Sequence, residues 1–437
     1  MYAGDRPPLR RTPLAWAGGL TALLLAGAAW PVAPLRDAAT GTASDAHLRL
    51  SPAFLVLAPL NNTLDALSLL SVREHAAVLF VLVVVYVVWR VWRRRRLPAL
   101  PGGWLREVRL VVIALAGLVA LYATGALVER PMAALELPPQ DSDQVTIDFH
   151  SHTNASHDGR PGFTPARNRA WHAAAGFDVA YISDHFTFAG AEVGTRDNPA
   201  RASAGTVLFS AIECLEGGEH VNVLGVTAAD YALFHGRYIA AAAVEASIAA
   251  GRPRPLIVQT IPGDLSRLPK AGMSAVVPVA AIEISDAAPR GLSDSDRDRT
   301  RILELADSLG LALVAGSDNH GWGRTAAAWS VMHVPGWRTL TPDELEQRVE
   351  DGIRTGGRNA GRVIERTRPE WPTRATAGRP GGWVSSVAGA PGFLGQFVWQ
   401  LTATRSWPER AAWLTWIWCV ALLVAWRVRP NPARPAQ

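Results

Sequence analysis

The sequence predicts an α/β domain, built as a parallel sheet or barrel, attached to about four transmembrane α-helices. Three observations predict it. Four long runs are apolar on every face. Between about Gln144 and Arg368, short β-branched runs alternate with helical stretches. His, Asp and Glu gather where the predicted strands end.

The apolar runs are Leu14 to Val32, Ala76 to Trp92, Leu110 to Val128 and Ala411 to Trp426. A span of about 30 Å of hydrocarbon needs about 20 such residues. The second and fourth runs are slightly short, and flanking Arg and Trp can anchor them at the interface. The first run could serve as a signal peptide, but the later runs favour a retained anchor. The composition agrees, with 49% of the 437 residues hydrophobic and only 19% charged. The two cysteines, Cys214 and Cys419, make no disulfide framework.

The net charge of +5 is carried by clustered arginines. Arg6, Arg10 and Arg11 precede the first run. Arg90, Arg93 to Arg96, Arg106 and Arg109 lie between the second and third, and Arg427, Arg429 and Arg434 follow the fourth. The positive-inside rule puts all three groups in the cytoplasm. The expected organisation is therefore a membrane region over 1–130, with spans at about 14–32, 76–92 and 110–128. An extracytoplasmic domain over 144–368, a linker over 369–410 and a last span over 411–426 complete it. The apolar loop over 33–75 either lies against the membrane or caps the domain.

Within 144–368 the expected strands include "QVTIDFH", "FDVAYISDH", "TVLFSAIEC", "HVNVLGV", "PLIVQTI", "VPVAAIEIS" and "LALVAGSDNH". Thr164 and Pro165 open a helix, a second helix runs from about Tyr238 to Ala250, and Thr341 with Glu344 has capping-box spacing. Such β–α alternation implies a parallel sheet or barrel.

The polar residues follow the strands. His150 and His152 end the first, Asp184 and His185 the second, Glu213 the third, and Asp318 and His320 the last. Loops at the carboxyl ends of barrel strands converge on one site. Residues spaced i, i+2 on an extended segment point the same way, so "HSH" can aim two imidazoles at one ion. Nitrogen and oxygen donors without thiolate suit Zn, Mn or Fe.

The stretches "DFHSHTNASHDG", "YISDH", "AIECLEGGEHVNVLG", "AIEIS" and "GSDNH" resemble successive motifs of the PHP (polymerase and histidinol phosphatase) domain family, over roughly Gln144 to Gly361. The resemblance implies a distorted (β/α)7 barrel, TIM-like, with two or three divalent metal ions that hydrolyse phosphoesters. Carried over by motif, the metal ligands are His150, His152, His157, Asp158, His185, Glu213, His220, Asp318 and His320. Two positions depart from the family pattern. Asn222 and Ile261 stand where relatives often have His, which displaces one ligand and removes another. His172 and His235 match no motif and read as ordinary surface or helix histidines.

Paired ions would activate water and stabilise an in-line displacement. Asp184 or His157 could serve as the acid for the leaving group. Arg160 and Arg324, which flank two motifs, could hold substrate phosphate. The expected function is a membrane-anchored phosphoesterase acting on a small phosphorylated substrate, with the lipid bilayer as its other partner. Two alternatives stay open: a metal-dependent amide or ester hydrolase, and a degenerate metal-binding ectodomain that senses or binds a partner. No nucleic-acid partner is expected, because no basic stripe with interleaved aromatics lies in the domain.

Overall fold

The computed structural model describes residues 12–96, 103–261, 263–266, 278–369 and 382–427. Arg6, Arg10, Arg11, Arg429 and Arg434, expected to mark the cytoplasmic side, lie outside the described residues.

The helices are α1 (Thr12–Ala29), α2 (Pro52–Val56), α3 (Ala58–Ser68), α4 (Val72–Arg96), α5 (Gly103–Leu127), α6 (Pro165–Ala175), α7 (Ala189–Arg196), α8 (Ala241–Ala249), α9 (Pro289–Leu309), α10 (Pro342–Gly356), α11 (Gly382–Ala403) and α12 (Trp407–Arg427). The strands are β1 (Leu35–Asp37), β2 (His47–Leu50), β3 (Ala133–Glu136), β4 (Gln144–Ser151), β5 (Val179–Ile182), β6 (Val207–Glu216), β7 (Glu219–Leu224), β8 (Phe234–His235), β9 (Tyr238–Ile239), β10 (Leu256–Gln259), β11 (Val279–Asp286), β12 (Ala312–Gly316), β13 (Ala328–His333) and β14 (Arg362–Arg366).

One sheet runs in the order β1-β14-β13-β4-β5-β6-β7-β10-β11-β12. It curls until the segment after β12 meets β4 again. There Ser151 bridges Asn319 in parallel, Asp318 N donates to His150 O at 2.9 Å, and His152 N donates to Asn319 O at 3.0 Å. The seven strands from β4 to β12 thus form a distorted barrel. Two features depart from the expected parallel arrangement. β7 runs antiparallel to both β6 and β10. The two-residue turn Gly217-Gly218, with φ of 58° and 90°, folds β6 and β7 into a hairpin, the conformation that two-residue hairpin turns demand. In addition, β13 and β14 extend the sheet beyond β4 as antiparallel strands, and β1 pairs with β14. The loop over 33–75 therefore contributes a strand to the sheet.

Alternating side chains build the core. Val145, Ile147, Phe149, Tyr181 and Phe209 pack with Leu345, Val349 and Ile353 of α10. Each such large apolar side chain contributes about 1.5–3 kcal/mol when removed from water. The helix signals hold at α6, where Thr164 Oγ1 accepts from Arg167 N and Gly176 closes the helix with φ of 86°. They hold at α10, where Thr341 and Glu344 form the capping box. α8 starts at Ala241 rather than Tyr238, because Tyr238 is drawn into β9 and pairs with His235 and Leu215.

Among the described residues, four helices are long and apolar enough to cross a membrane: Thr12–Ala29, Glu74–Trp92, Leu105–Leu127 and Trp407–Trp426. The stretch over 369–410, expected as a linker, contains the 22-residue α11, which carries Pro391 within it. Phe393 and Phe397 of α11 bury against Leu70 and Val78, which ties it to α4. Buried charges join the helices to the barrel. Asp65 on α3 accepts from Thr325 Oγ1 at 2.9 Å and from Arg366 Nη1 at 3.1 Å.

Candidate metal centre

The first strand delivers two imidazoles to one point. Phe149 of β4 is fully buried in the core, and the next residue, His150, faces the opposite environment. The register with β5 shifts between Asp148 and Ser151. Such irregularities re-aim side chains beside functional sites. His150 Nε2 and His152 Nε2 come within 3.0 Å of each other.

Two more chain segments close on that point. Glu213 Oε2 lies 3.0 Å from His150 Nε2 and 3.3 Å from His152 Nε2. Asp318 Oδ1 lies 3.5 Å and 3.2 Å from the same two atoms. An ion with four bonds of 2.0–2.2 Å sets its tetrahedral donors about 3.3–3.6 Å apart. Five edges among two nitrogens and two carboxylate oxygens run from 3.0 to 3.5 Å, at or slightly below that size. The donor set and its dimensions fit a divalent cation.

Glu213 also faces a second group. His185 Nδ1 lies 3.4 Å from its Oε2, and His220 Nδ1 lies 2.5 Å from its Oε1. The sequence places Glu213 at a strand end, but hairpin pairing carries β6 on to Glu216. A third group involves Asp158, whose Oδ2 is 3.3 Å from His185 Nε2 and 3.2 Å from His320 Nε2. His157 stands exposed at the outer edge, its ring 5.0 Å from that of His185. Eight of the nine sequence-derived candidates thus converge, and His157 joins them at the exposed rim, grouped with Asp158 and His185.

The loops that hold these groups are strained. Phe186 and Asp318 are the non-glycine residues with positive φ among the described residues, at 59° and 45°. Both follow or form part of the ligand set. Such conformations persist where the surroundings over-determine them. Here Phe186 N donates to Glu213 O and Asp318 N to His150 O.

The electrostatics suit a cation. Burial disfavours charge on His150, but Glu283, Glu213 and Asp318 outweigh it and raise its pKa well above the usual value. Burial likewise opposes charge on His152, yet hydrogen bonds to Asp318 and Glu213 push it up to about 9. Burial would raise Glu213, but His150 and its neighbours hold it well below the carboxylate range. His185 moves the other way, lowered to about 4 mainly by burial. A neutral imidazole is the form that ligates a metal. Carboxylates that grip two protons this tightly could instead neutralise a divalent cation.

Behind the donors lies a second layer that sequence reasoning missed. His150 Nδ1 is 2.9 Å from Glu283 Oε1, and Ile261 N donates to Glu283 Oε2 at 2.9 Å. Ile261, expected from the resemblance to leave a gap in the shell, thus serves through its backbone while its side chain joins the core. Asp148 accepts from His150 N and Ser317 N, and its Oδ2 is 2.7 Å from His172 Nε2. His172 is therefore a helix histidine, on α6, but a buried one that supports Asp148 rather than a surface residue. Asn222 is buried and donates to Phe149 O, tethering β7 to β4. Gly316 has no room for a side chain, since a Cβ would stand 2.5 Å from Glu283 Oε1 and 2.6 Å from His150 Cβ.

Two sequence-derived roles change, those of Asp184 and Arg324. Asp184 is fully buried and accepts from Thr153 N at 2.6 Å and Thr153 Oγ1 at 2.7 Å. It clamps the chain after His152 and has no open path to a leaving group. Arg324 turns away from the cluster and donates to Met132 Sδ at 3.2 Å and Asn61 O at 3.4 Å. It secures α3 rather than a phosphate. Arg160 lies at the rim, where Nη1 donates to Gly321 O at 3.1 Å and the guanidinium covers the Trp322 ring at 5.1 Å.

No family model matches the sequence, and no curated protein matches it. Among solved structures the chain is similar to PsfC from Pseudomonas syringae, at 18% identity and a TM-score of 0.35, over 57% of this chain and 99% of that one. It is similar to a two-domain protein from Bacteroides vulgatus containing a predicted PHP-like metal-dependent phosphoesterase, at 15% identity and a TM-score of 0.32, over 49% and 66%. It is also similar to a lesion-specific endonuclease from Pyrococcus furiosus, at 16% identity and a TM-score of 0.34, over 49% and 57%. At such scores none of these likenesses decides the chemistry of this chain; its own side chains must.

Proposed function

We propose that this chain is a membrane-anchored, metal-dependent hydrolase of phosphate esters, with its catalytic domain over about 144–368 and outside the cytoplasm. The observation that carries this reading is the mutual spacing of His150 Nε2, His152 Nε2, Glu213 Oε2 and Asp318 Oδ1, at 3.0–3.5 Å. These four would hold one cation. Glu213, His185 and His220 would hold a second, and Asp158, 3.3 Å from His185 and 3.2 Å from His320, supplies with them donors for another position. Divalent cations there would supply Lewis acidity and lower the pKa of a water molecule.

The chain's own groups complete the arrangement. Glu283 accepts the Nδ1 proton of His150 and so leaves Nε2 as the donor atom toward the shell, the usual service of a carboxylate behind a ligating imidazole. Asp184 fixes Thr153 and with it the direction of His152. His157, exposed at the rim and 3.8 Å from Asp158 through Nδ1, is placed to give a proton to a departing alcohol.

The test is elemental analysis of the purified protein together with hydrolysis of an aryl phosphate ester under added Mn or Zn. Bound metal is expected, with turnover that chelator abolishes and His185→Ala depresses strongly. Turnover that survives chelator at full strength would overturn the reading. Stoichiometric metal without turnover of any ester would favour a metal-binding ectodomain instead.

A further inference from the structure

The metal centre sits close to the end of a membrane-length helix. The apolar part of α5, Leu105–Leu127, has 23 residues. At 1.5 Å per residue it spans about 35 Å, slightly more than the hydrocarbon core. Crossing the bilayer as proposed above, it would bring its carboxyl end to the level where lipid phosphates lie. Two loops of the centre are fastened to that end. Gly323 N donates to Ala126 O at 3.1 Å, three residues beyond His320. Arg160 Nη1 reaches Leu127 O at 3.4 Å, two residues beyond Asp158. The loops are also joined to each other, since Arg160 N donates to His320 O at 2.8 Å. One side chain and a few backbone bonds separate the donors Asp158 and His320 from the helix terminus.

The rim on this side is open and has interfacial chemistry. Asp158 and His157 are the exposed members of the cluster here, with side chains 42% and 69% accessible. Trp322, between His320 and the helix end, is 53% exposed, and Arg160 lies over its ring. An exposed tryptophan with a stacked arginine at a helix end is the pairing that settles among lipid headgroups. A purely soluble substrate gives no reason for the mouth of a hydrolase to face that layer.

We propose that the substrate of this centre is a phosphate ester carried by a membrane lipid, which reaches the donors over the Arg160–Trp322 rim while its chains stay in the bilayer. The proposal rests on the hydrolase reading of the centre. For a lipid phosphomonoester, water supplies the oxygen of the new P–O bond. The P–O bond to the lipid oxygen breaks, the lipid leaves as its alcohol with a proton, and inorganic phosphate is the second product.

The experiment uses the full chain in mixed micelles with added Mn. Phosphatidic acid is the lipid probe and p-nitrophenyl phosphate the soluble one, assayed in the same micelles. Turnover of the lipid should exceed that of the soluble ester by about tenfold or more in kcat/KM. It should also fall when detergent dilutes the lipid within the micelle at constant bulk concentration. Trp322→Ala should lower lipid turnover several-fold while leaving metal content and hydrolysis of the soluble ester unchanged. Equal turnover of both esters would overturn the proposal and leave the hydrolase reading standing. So would a Trp322→Ala variant that lowers both activities alike or neither. If the metal-loaded chain hydrolyses neither ester, the hydrolase reading fails and this proposal with it.

Discussion

Glu283 Oε1 lies 2.9 Å from His150 Nδ1, on the side of the ring opposite the Nε2 that faces Glu213 and Asp318. Both side chains are buried. The carboxylate thus fixes the tautomer and orientation of the imidazole nearest the middle of the cluster, and Ile261 N and the bare Cα of Gly316 keep the carboxylate in place.

Glu283→Gln keeps the shape of this pair and removes its charge. The amide can still accept from Nδ1, but it no longer raises the basicity of Nε2. Loss of such a supporting partner typically costs about 10–100-fold in metal affinity. Competition with a chromophoric chelator measures it, with circular dichroism as the control for folding. Unchanged affinity would mean that His150 is not a ligand through Nε2.

Much of this centre is legible in the sequence, and the reasons for the rest are physical. "HSH", "SDH" and "SDNH" are visible because polar residues at strand ends break an apolar pattern. Glu283 sits inside the apolar strand "VAAIEISD", where a single acid gives no spacing signal, and its partner is 133 positions away. Asp148 and His172 are hidden in the same way, since only the packing of α6 on β4 brings them together. The β6–β7 hairpin had a signal, the Gly217-Gly218 pair between two β-branched runs, and β–α alternation masks it. Arg324 shows the opposite error. Position beside a motif suggests a phosphate ligand, but α3 offers it a buried carboxylate, Asp65 at 3.9 Å, and a carbonyl. The extension by β13, β14 and β1 depends on pairing across most of the chain, which no local pattern encodes.

Glu346 on α10 gives a pH prediction away from the centre. Burial, reinforced by the Glu350 carboxylate and only partly opposed by a hydrogen bond from the Ser210 backbone, pushes its carboxyl up to about 8. The folded chain then holds this proton more tightly than the unfolded chain, whose carboxyl titrates near 4.5. The stability from this group is complete below the unfolded value and is lost as pH rises toward 8. Glu346→Gln is uncharged throughout. The variant should match the parent near pH 5 and exceed it in thermal midpoint above about pH 8. A variant that is equally stable or less stable than the parent at the higher pH would contradict this account.

The direction of the helices leads to the last prediction. Leu69 and Arg368 meet where α4 begins, with Arg368 Nη1 donating to Leu69 O at 3.4 Å. Val32 N donates to Ala403 O, just beyond the end of α1 and just before α12. Gly323 N donates to Ala126 O at the end of α5. Just beyond α1, Pro34 O accepts from Thr367 N at the end of β14, so the barrel adjoins the carboxyl ends of α1 and α5 and the amino end of α4, and the Val32–Ala403 bond brings the amino end of α12 to the same side. The arginines from Arg90 to Arg109 cluster at the other ends of α4 and α5. Short basic loops are retained in the cytoplasm, while long domains translocate largely regardless of charge. The barrel is then expected outside. α11 packs beside α1 and α4 and, among the described residues, does not meet the length and apolarity of the four candidate spans, so it need not add a crossing. Reporter fusions after Arg96 and after Arg368 should read opposite sides of the membrane, the first cytoplasmic and the second external. If both read the cytoplasm, the four-span arrangement is wrong.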